Sequence, residues 1–228
     1  MQALIKDFIV RHLGGSGCEV PLEALDDSAV IEDIVLKSDS HTVKPLFFPG
    51  GDIGRMAISG TVNDIAVMGA DPLALAAGFI LEEGLPISDF ERIVASMEMT
   101  CREAGVYVVT GDTKVVEKGA LDKFVINTSG IGKRSEALDS NIEVVKKYRQ
   151  FNSRWLLDSN IREGDKILVS GTVGDHGIAI LSFRDGYGFE TEVKSDVAPL
   201  NKVVRKILQV GGIVKIKDPT RGGLSNTL

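Results

Sequence analysis

Segments with strand periodicity and segments with helix periodicity follow one another irregularly along this chain of 228 residues, and this order restricts its fold most. Alternating or β-branched apolar runs predict strands at residues 34–38, 73–81, 106–110, 123–131, 166–170 and 213–216. Apolar spacing of three and four predicts helices at residues 2–13, 53–69, 88–101, 177–183 and 200–208. A doubly wound sheet would need regular alternation of the two kinds of element. We therefore predict an α+β fold.

The chain has one polar stretch, between Lys133 and Gly164, in which Trp155 is the only large apolar anchor. Such a stretch is typical of a connector, here with some helix. We therefore predict a first domain at residues 1–150 and a second domain at residues 151–228. The second unit is too small to complete a core by itself. We expect either that the full protein continues or that another chain completes this core.

Charge and cysteine content exclude several classes of protein. The 26 basic and 32 acidic residues give a formal charge of −6 without a basic run, so a nucleic-acid partner is not expected. Two cysteines, Cys18 and Cys101, are too few for a disulfide framework or a Cys-rich zinc site, which favours a reducing cytosol. Cys101 falls on the apolar face of a predicted helix and is expected in the core. No signal peptide, membrane span or other membrane attachment is predicted.

Aspartates recur beside glycines or small residues at strand ends, in loops and on one helix face: Asp26, Asp27, Asp39, Asp64 and Asp112. Magnesium prefers such hard oxygen ligands and takes its remaining ligands from phosphate and water. Each aspartate by itself is more often a turn former or a helix cap. Only convergence of these side chains in space would favour a phosphate-handling site.

Two glycine-containing segments precede helices, at residues 171–177 and 220–224. Free backbone amides and the positive end of a helix favour anions at such positions. Neither segment is a Walker A motif or a dinucleotide fingerprint, and each is as compatible with a tight turn as with a phosphate site. Lys114 and Arg221 are the cations best placed to neutralise charge in phosphoryl transfer, and exposed basic residues without a partner are the alternative.

Several strings together resemble one family over nearly the whole chain: LEALDDSAV, SDSHTVKPLFFPGGDIGRMAISGTVNDIAVMGADPLALAAGFILEEG, VVTGDTKVVEKG, LVSGTVGDHGIAIL, ETEVKSDVAPL and KDPTRGGLSNTL. They are similar to the HypE family of hydrogenase maturation carbamoyl dehydratases, in the aminoimidazole ribonucleotide synthetase (PurM-like) superfamily. The resemblance implies a two-domain α+β architecture with a complete amino-terminal dimerising domain and a partial carboxy-terminal domain. It also implies that ATP binds in a groove between paired amino-terminal domains.

The resemblance also implies roles for individual residues. Magnesium ligands would be Asp27, Asp39, Asp64 and Asp112. ATP-binding residues would be Asp27, Asp39, Asn63, Asp64, Gly111, Asp112, Thr113, Lys114, Asp218, Thr220 and Arg221. Lys114 and Asp64 would be the catalytic residues.

The implied reaction is the ATP-dependent dehydration of a thiocarboxamide on the protein's own last cysteine, which gives the thiocyanate that supplies cyanide to nickel-iron hydrogenase. Implied partners are a second copy of the chain, the carbamoyltransferase HypF and the HypC–HypD complex, in the cytoplasm. Three departures accompany the resemblance: a glycine-rich string before the first helix is absent, the connector at residues 135–161 is longer than expected, and no terminal cysteine is present. Alternatives are a small-molecule kinase, an amidine-forming synthetase of the same superfamily, or a non-catalytic dimer scaffold.

Overall fold

A mixed five-stranded sheet is the centre of the computed structural model, which describes residues 4–15, 17–184, 192–220 and 222–227. The strands are β1 (Ala29–Ile31), β2 (Ile34–His41), β3 (Phe47–Phe48), β4 (Gly51–Asp52), β5 (Ala70–Glu82), β6 (Tyr107–Val116) and β7 (Phe124–Arg134). The sheet has the order β1-β2-β7-β5-β6, and β3 pairs with β4 in a separate ribbon. Within the sheet β5 and β6 are parallel, whereas the other neighbours are antiparallel. The predicted α+β class is confirmed.

The main helices are α1 (Ile53–Ala66), α2 (Ile87–Ala104), α3 (Glu136–Lys146), α4 (Asp175–Ser182), α5 (Asn201–Val210) and α6 (Gly223–Thr227). Short helical turns occupy Ile5–Val10, Arg11–Leu13, Leu22–Ala24 and Asp158–Asn160. Helix α1 begins where the sequence predicts, because the Asp52 carboxylate accepts hydrogen bonds from the Gly54 and Arg55 amides at 2.7 and 3.1 Å. Helix α2 begins at Ile87, one residue before the predicted start, and has no side-chain cap.

Helix α1 packs directly on the inner face of the sheet. Ile58 and Ile65 of this helix are completely buried. A β-carbon at Gly130 of β7 would come within 2.6–2.9 Å of Leu75, Ile65 and Thr61. Glycine at this position therefore permits the close approach of helix and strand, which fixes the end of α1 beside β2.

The outer face of the sheet is left uncovered by the residues that the structure describes. Leu36, Leu73, Ile80 and Ile131 on this face are 39–47% exposed. The edge strand β6 is exposed along nearly its whole length. An apolar face of this kind beside an open strand edge is typical of a surface that another protein covers.

The polar connector contains α3, as predicted, and links the two halves of the chain. Leu138, Trp155 and Leu208 belong to the same buried cluster and are at most 1% exposed. Buried Asn141 donates from its side-chain amide to the Ile213 carbonyl at 2.7 Å and accepts from the Ile213 amide at 2.8 Å. Because this core uses residues from both sides of position 150, the boundary between residues 1–150 and 151–228 stays a prediction.

The predicted strands at residues 166–170 and 213–216 are not formed, and this part of the prediction was wrong. A strand needs a neighbour that supplies hydrogen bonds, and no strand among the described residues pairs with either segment. Leu168 is consequently 83% exposed. Residues 213 and 214 are held instead by the side-chain amides of Asn141 and Asn160.

Two further sequence predictions concern the thiols and the membrane. Cys101 is 8% exposed in the α2 core, and burial raises the pKa of its thiol, which agrees with a structural cysteine.

Within residues 4–15, 17–184, 192–220 and 222–227, every helix is too short or too polar to cross a bilayer.

Candidate functional site

Acidic and basic side chains meet where β2, the carboxyl end of α1 and residues 215–218 come together. The acids in this charged cluster are Asp26, Asp27, Asp39, Asp64, Asp158 and Asp218. The bases are Lys37, Lys215 and Lys217. The fold thus brings together three of the four predicted magnesium ligands, Asp27, Asp39 and Asp64.

Lys37 lies in the centre of the first part of this cluster. Its Nζ is 2.5 Å from Asp64 Oδ2 and 3.4 Å from Asp39 Oδ1, and it donates to the Asp27 carbonyl at 2.9 Å. The side chains of Lys37, Asp39 and Asp64 are only 16–21% exposed. Lys37 and Asp39 lie on the same inward face of β2 because they are two residues apart in a strand.

Lys215 and Lys217 form the second part of the cluster around Asp27. Lys215 Nζ is 2.8 Å from Asp27 Oδ2 and 3.0 Å from Asp158 Oδ1, and Lys217 Nζ is 3.2 Å from Asp27 Oδ1. The side chains of Lys215 and Asp27 are 5% and 9% exposed. Asp27 therefore joins both parts, since its carbonyl binds Lys37 and its carboxylate binds the other two lysines.

The protonation equilibria reflect this competition between burial and ion pairing. Burial raises the pKa of Asp64 to about 7, against the opposing effect of the Lys37 ammonium. Burial acts against the charge of Lys37, but Asp64 and Asp39 raise the pKa of this lysine above its usual value. Burial also raises the pKa of Asp218. Burial tends to raise the pKa of Asp158, yet Lys215 and Lys217 lower it below the usual range.

The donor chemistry of Asp27, Asp39 and Asp64 fits magnesium, because carboxylate oxygens are its preferred protein ligands. Their arrangement is closed around ammonium groups, however. Among the described residues, no three His, Cys, Asp or Glu side chains are grouped so as to hold a metal ion. A metal at these carboxylates would therefore require Lys37 to move, and the assignment of these ligands stays a prediction.

Asn63, a predicted ATP-binding residue, connects the two halves of the chain. Its side-chain amide donates to the Ala198 carbonyl at 3.0 Å and accepts from the Leu200 amide at 2.7 Å. The same side chain hydrogen-bonds Asp218, which brings this predicted residue into the charged cluster. Asn63 thus positions the carboxy-terminal side of the site.

The other predicted residues of the first domain lie elsewhere. Gly111, Asp112, Thr113 and Lys114 are exposed on the edge strand β6. Asp39 pairs with Thr128, Thr128 with Ala77, and Ala77 with Gly111, so that Gly111 is three strand spacings from Asp39. Three spacings correspond to roughly 14 Å. Asp112 and Lys114 are consequently not brought to the charged cluster within one chain.

The carboxy-terminal candidates have different outcomes. Thr220 is exposed and its amide donates to the Asp218 carbonyl at 3.0 Å, whereas Arg221 lies outside the described residues. In the glycine segment at residues 171–177, the Thr172 hydroxyl donates to Asp175, the first residue of α4. His176 of α4 lies 2.9 Å from Ser195 Oγ and contacts the Phe48 ring edge-on. The choice between a tight turn and an anion site in this segment stays open.

Sequence reasoning missed the three lysines of the charged cluster. Lys37 lies two positions before Asp39, and Lys215 lies two positions before Lys217. In an extended segment such spacing places both side chains on one face. This spacing could have indicated that the acids are neutralised by lysines from the same chain.

Two family models match the chain. The model of the AIR synthase related protein, N-terminal domain, matches residues 25–133. The model of the AIR synthase related protein, C-terminal domain, matches residues 162–228. The two matched ranges contain the members of the charged cluster other than Asp158, and they leave out most of the connector that carries α3.

Individual relatives agree with these models. The chain is 46% identical over 233 residues to the carbamoyl dehydratase HypE of Azotobacter vinelandii. The aligned region covers 100% of this chain and 62% of the relative. It is similar to HypE in a HypE–HypF complex, with 44% identity, a TM-score of 0.85 and coverage of 99% and 68% of the two chains. A HypE structure in complex with ATP has 47% identity, a TM-score of 0.75 and coverage of 100% and 63%. The chain thus spans less than two thirds of the length of this curated relative.

Proposed function

The chain belongs to the AIR synthase related family, in its HypE group, and on this premise we propose that it takes part in ATP-dependent carbamoyl dehydration during hydrogenase maturation. The observation that carries the proposal is the charged cluster, because it contains the predicted phosphate-region acids at the junction of the two family domains. The likeness to a HypE in complex with ATP supports nucleotide binding at this junction.

The proposed reaction removes water from a cysteine thiocarboxamide. The amide oxygen is a poor leaving group, so it first attacks the γ-phosphorus of ATP, releasing ADP and losing one nitrogen proton to a base. The second nitrogen proton then leaves together with phosphate, and the carbon–nitrogen bond becomes the triple bond of a thiocyanate. Asp39 and Asp64 would hold Mg²⁺, which offsets charge on the phosphates when bound. Lys114 would stabilise the transferring phosphoryl group.

We propose that a second copy of the chain completes this site. Asp112 and Lys114 are roughly 14 Å of sheet away from Asp39 in the same chain, a distance that a lysine side chain does not span. The uncovered outer face with Leu36 and Ile131, together with the open edge of β6, offers a surface for pairing. In a homodimer, Lys114 of one protomer would serve the acids of the other.

The proposed partners follow from the same family membership. A HypF-type carbamoyltransferase would deliver the carbamoyl group, which the likeness to HypE of a HypE–HypF complex supports. A HypC–HypD complex would receive the cyanide group. We place these steps in the cytoplasm, where thiols such as that of a substrate cysteine stay reduced.

Nucleotide binding is the first test. Isothermal titration of the chain with magnesium ATP is expected to give saturable binding, and Asp64→Asn is expected to weaken it by roughly tenfold or more. Glu136→Gln, an exposed substitution in the connector, is the matched control. Equal affinity in all three proteins would refute the assigned role of Asp64.

The reaction itself is tested by mass. A version of the protein that carries a cysteine-terminated tail is carbamoylated, mixed with magnesium ATP and followed by mass spectrometry. The expected result is the loss of one water from the tail for each ATP converted to ADP. A protein that binds ATP but leaves the carbamoylated tail unchanged would reject the dehydratase and favour another enzyme of the superfamily.

A further inference from the structure

The Lys37 ammonium has the surroundings that a bound cation would have. An ammonium group offers three N–H donors, and Lys37 has three oxygen acceptors: Asp64 Oδ2 at 2.5 Å, Asp27 carbonyl oxygen at 2.9 Å and Asp39 Oδ1 at 3.4 Å. These oxygens come from three different elements: the segment before β1, β2 and α1. The fold has thus built a pocket of oxygens around a positive charge that belongs to the chain itself.

A divalent ion and this ammonium cannot occupy the pocket together. Magnesium binds oxygens at about 2.0–2.1 Å and would need the same oxygens of Asp39 and Asp64. Two cations at such a separation repel strongly where water is largely excluded, and these side chains are only 16–21% exposed. Lys37 therefore has to leave its acceptors before a metal can bind between the two carboxylates.

From these contacts we propose that Lys37 is a tethered cation that occupies the divalent-ion position in the nucleotide-free protein and excludes free metal from it. The inference rests on the proposed nucleotide site and adds that metal binds there together with the nucleotide rather than alone. Metal alone competes with an ammonium that is always present at high local concentration. Metal that arrives with a triphosphate also brings negative charge, which Lys37 can bind once it is displaced.

Lys215 does not share this role, although it is the more deeply buried lysine. Its partners are Asp26, Asp27 and Asp158, and it also donates to the Leu156 carbonyl at 3.3 Å. The connector therefore contributes to its binding, and none of its contacts involves Asp39 or Asp64. Lys215 holds residues 213–217 to the first domain, whereas Lys37 covers the acid pair.

The test measures metal binding without nucleotide, so that it does not depend on catalysis. Mn²⁺ is titrated by electron paramagnetic resonance into the wild-type chain, Lys37→Gln and Lys44→Gln. Lys44 is a matched control because it forms an exposed ion pair with Asp122. We expect Lys37→Gln to bind Mn²⁺ about tenfold more tightly than the other two proteins, as removal of a neighbouring like charge commonly shifts ionic equilibria by this amount or more. Mg²⁺ alone should raise the melting temperature of Lys37→Gln and leave that of the wild type unchanged.

A paired variant keeps the proposal testable if Lys37→Gln does not fold. Asp39→Asn removes one of the two carboxylates, and the double variant Lys37→Gln/Asp39→Asn should bind Mn²⁺ more tightly than Asp39→Asn alone. Equal Mn²⁺ affinity with and without Lys37, in either pair, would overturn the proposal. Titration of the wild type with magnesium ATP is read separately: absence of binding there refutes the nucleotide site, whatever Mn²⁺ does.

Discussion

The charged cluster and the edge strand β6 contain the two halves of the predicted site, and they differ in burial and in ion pairing. In the cluster, acids from several segments of the chain face lysines, and side chains such as Asp27 and Lys215 are below 10% exposure. On β6, Asp112 and Lys114 are exposed, and neither forms an ion pair with the described residues. The charged cluster includes Lys37 and Asp39 of β2, and β2 and β6 are three strand spacings apart in the sheet.

The difference distinguishes side chains that partners within one chain hold in place from side chains that one chain leaves exposed to solvent. Buried charges need their partners in place, because an uncompensated charge in a protein interior is costly. Exposed charges on a strand edge are solvated and cost little. Substitutions in the cluster should therefore affect stability, whereas those on β6 should affect only the proposed activity and assembly.

The largest expected effect is on turnover. Lys114→Ala should lower the proposed dehydration roughly 10²–10³-fold, the usual result of removing one group that stabilises transition-state charge. Its melting temperature should remain that of the wild type, because Lys114 is exposed. Lys118→Ala, an exposed lysine in the following loop, is the control. If Lys114→Ala keeps activity within threefold of the wild type, the activation free energy has changed by no more than about 0.7 kcal/mol, and Lys114 has no role in the mechanism.

A matched pair of substitutions tests the stability side. Asp27→Asn leaves Lys215 and Lys217 without their shared carboxylate and should lower the free energy of unfolding by about 3 kcal/mol. Asp112→Asn on β6 should change it by less than ~0.5 kcal/mol. Urea denaturation measures both values. Similar losses in the two variants would contradict the contrast between the regions.

Assembly should respond to a charge on the edge strand β6 and not to one at the end of α5. Val109 on β6 is 66% exposed, and Val109→Glu places a charge on the open edge. We expect the dimer dissociation constant, measured by analytical ultracentrifugation, to rise roughly tenfold or more. Val210→Glu at the end of α5, where the side chain is 81% exposed, should leave it unchanged. A wild-type chain that is monomeric at all concentrations would refute the proposed homodimer.

The smallest expected effect is a pH dependence that belongs to the charged cluster. Burial raises the pKa of Asp64 to about 7 in the folded protein, far above that of an unfolded aspartate. Folding then favours the protonated carboxyl, so this contribution is fully present at low pH and is lost as pH rises through about 7. Thermal melts between pH 5.5 and 8.5 should show this decline, and Asp64→Asn should flatten it. An unchanged slope in Asp64→Asn would assign the decline to other groups.

Much of the first domain was predictable because its elements have strong local signals. The breaker-rich loop before Ile53 and the apolar spacing after it predicted α1, and the β-branched run at residues 34–38 predicted β2. The strands at 166–170 and 213–216 failed because a strand depends on a neighbour that local sequence does not specify. Similarly, residues 110–114 were expected at a strand end, but they pair with β5 through Lys114.

The candidate site was predictable in its acids and not in its cations. Asp27, Asp39 and Asp64 stand in strings that carry the family resemblance, so their convergence could be expected. Lys37 contacts the Asp27 carbonyl over 10 residues of sequence and Lys215 contacts the Asp27 carboxylate over 188 residues, so these contacts exist only in the folded chain. The separation of Asp112 from Asp39 follows from strand order, which periodicity alone does not reveal.

The hydrogen bonds of Asn63 limit where the chain can tolerate inserted or deleted residues. Two paired strands can slip to a new register and recover their hydrogen bonds, but one side-chain amide fits only a carbonyl and an amide two residues apart, here Ala198 and Leu200. An inserted or deleted residue between these two positions cannot be accommodated by sliding. Natural variation in loop length should therefore spare residues 198–200 and be better tolerated at the exposed residues 192–194.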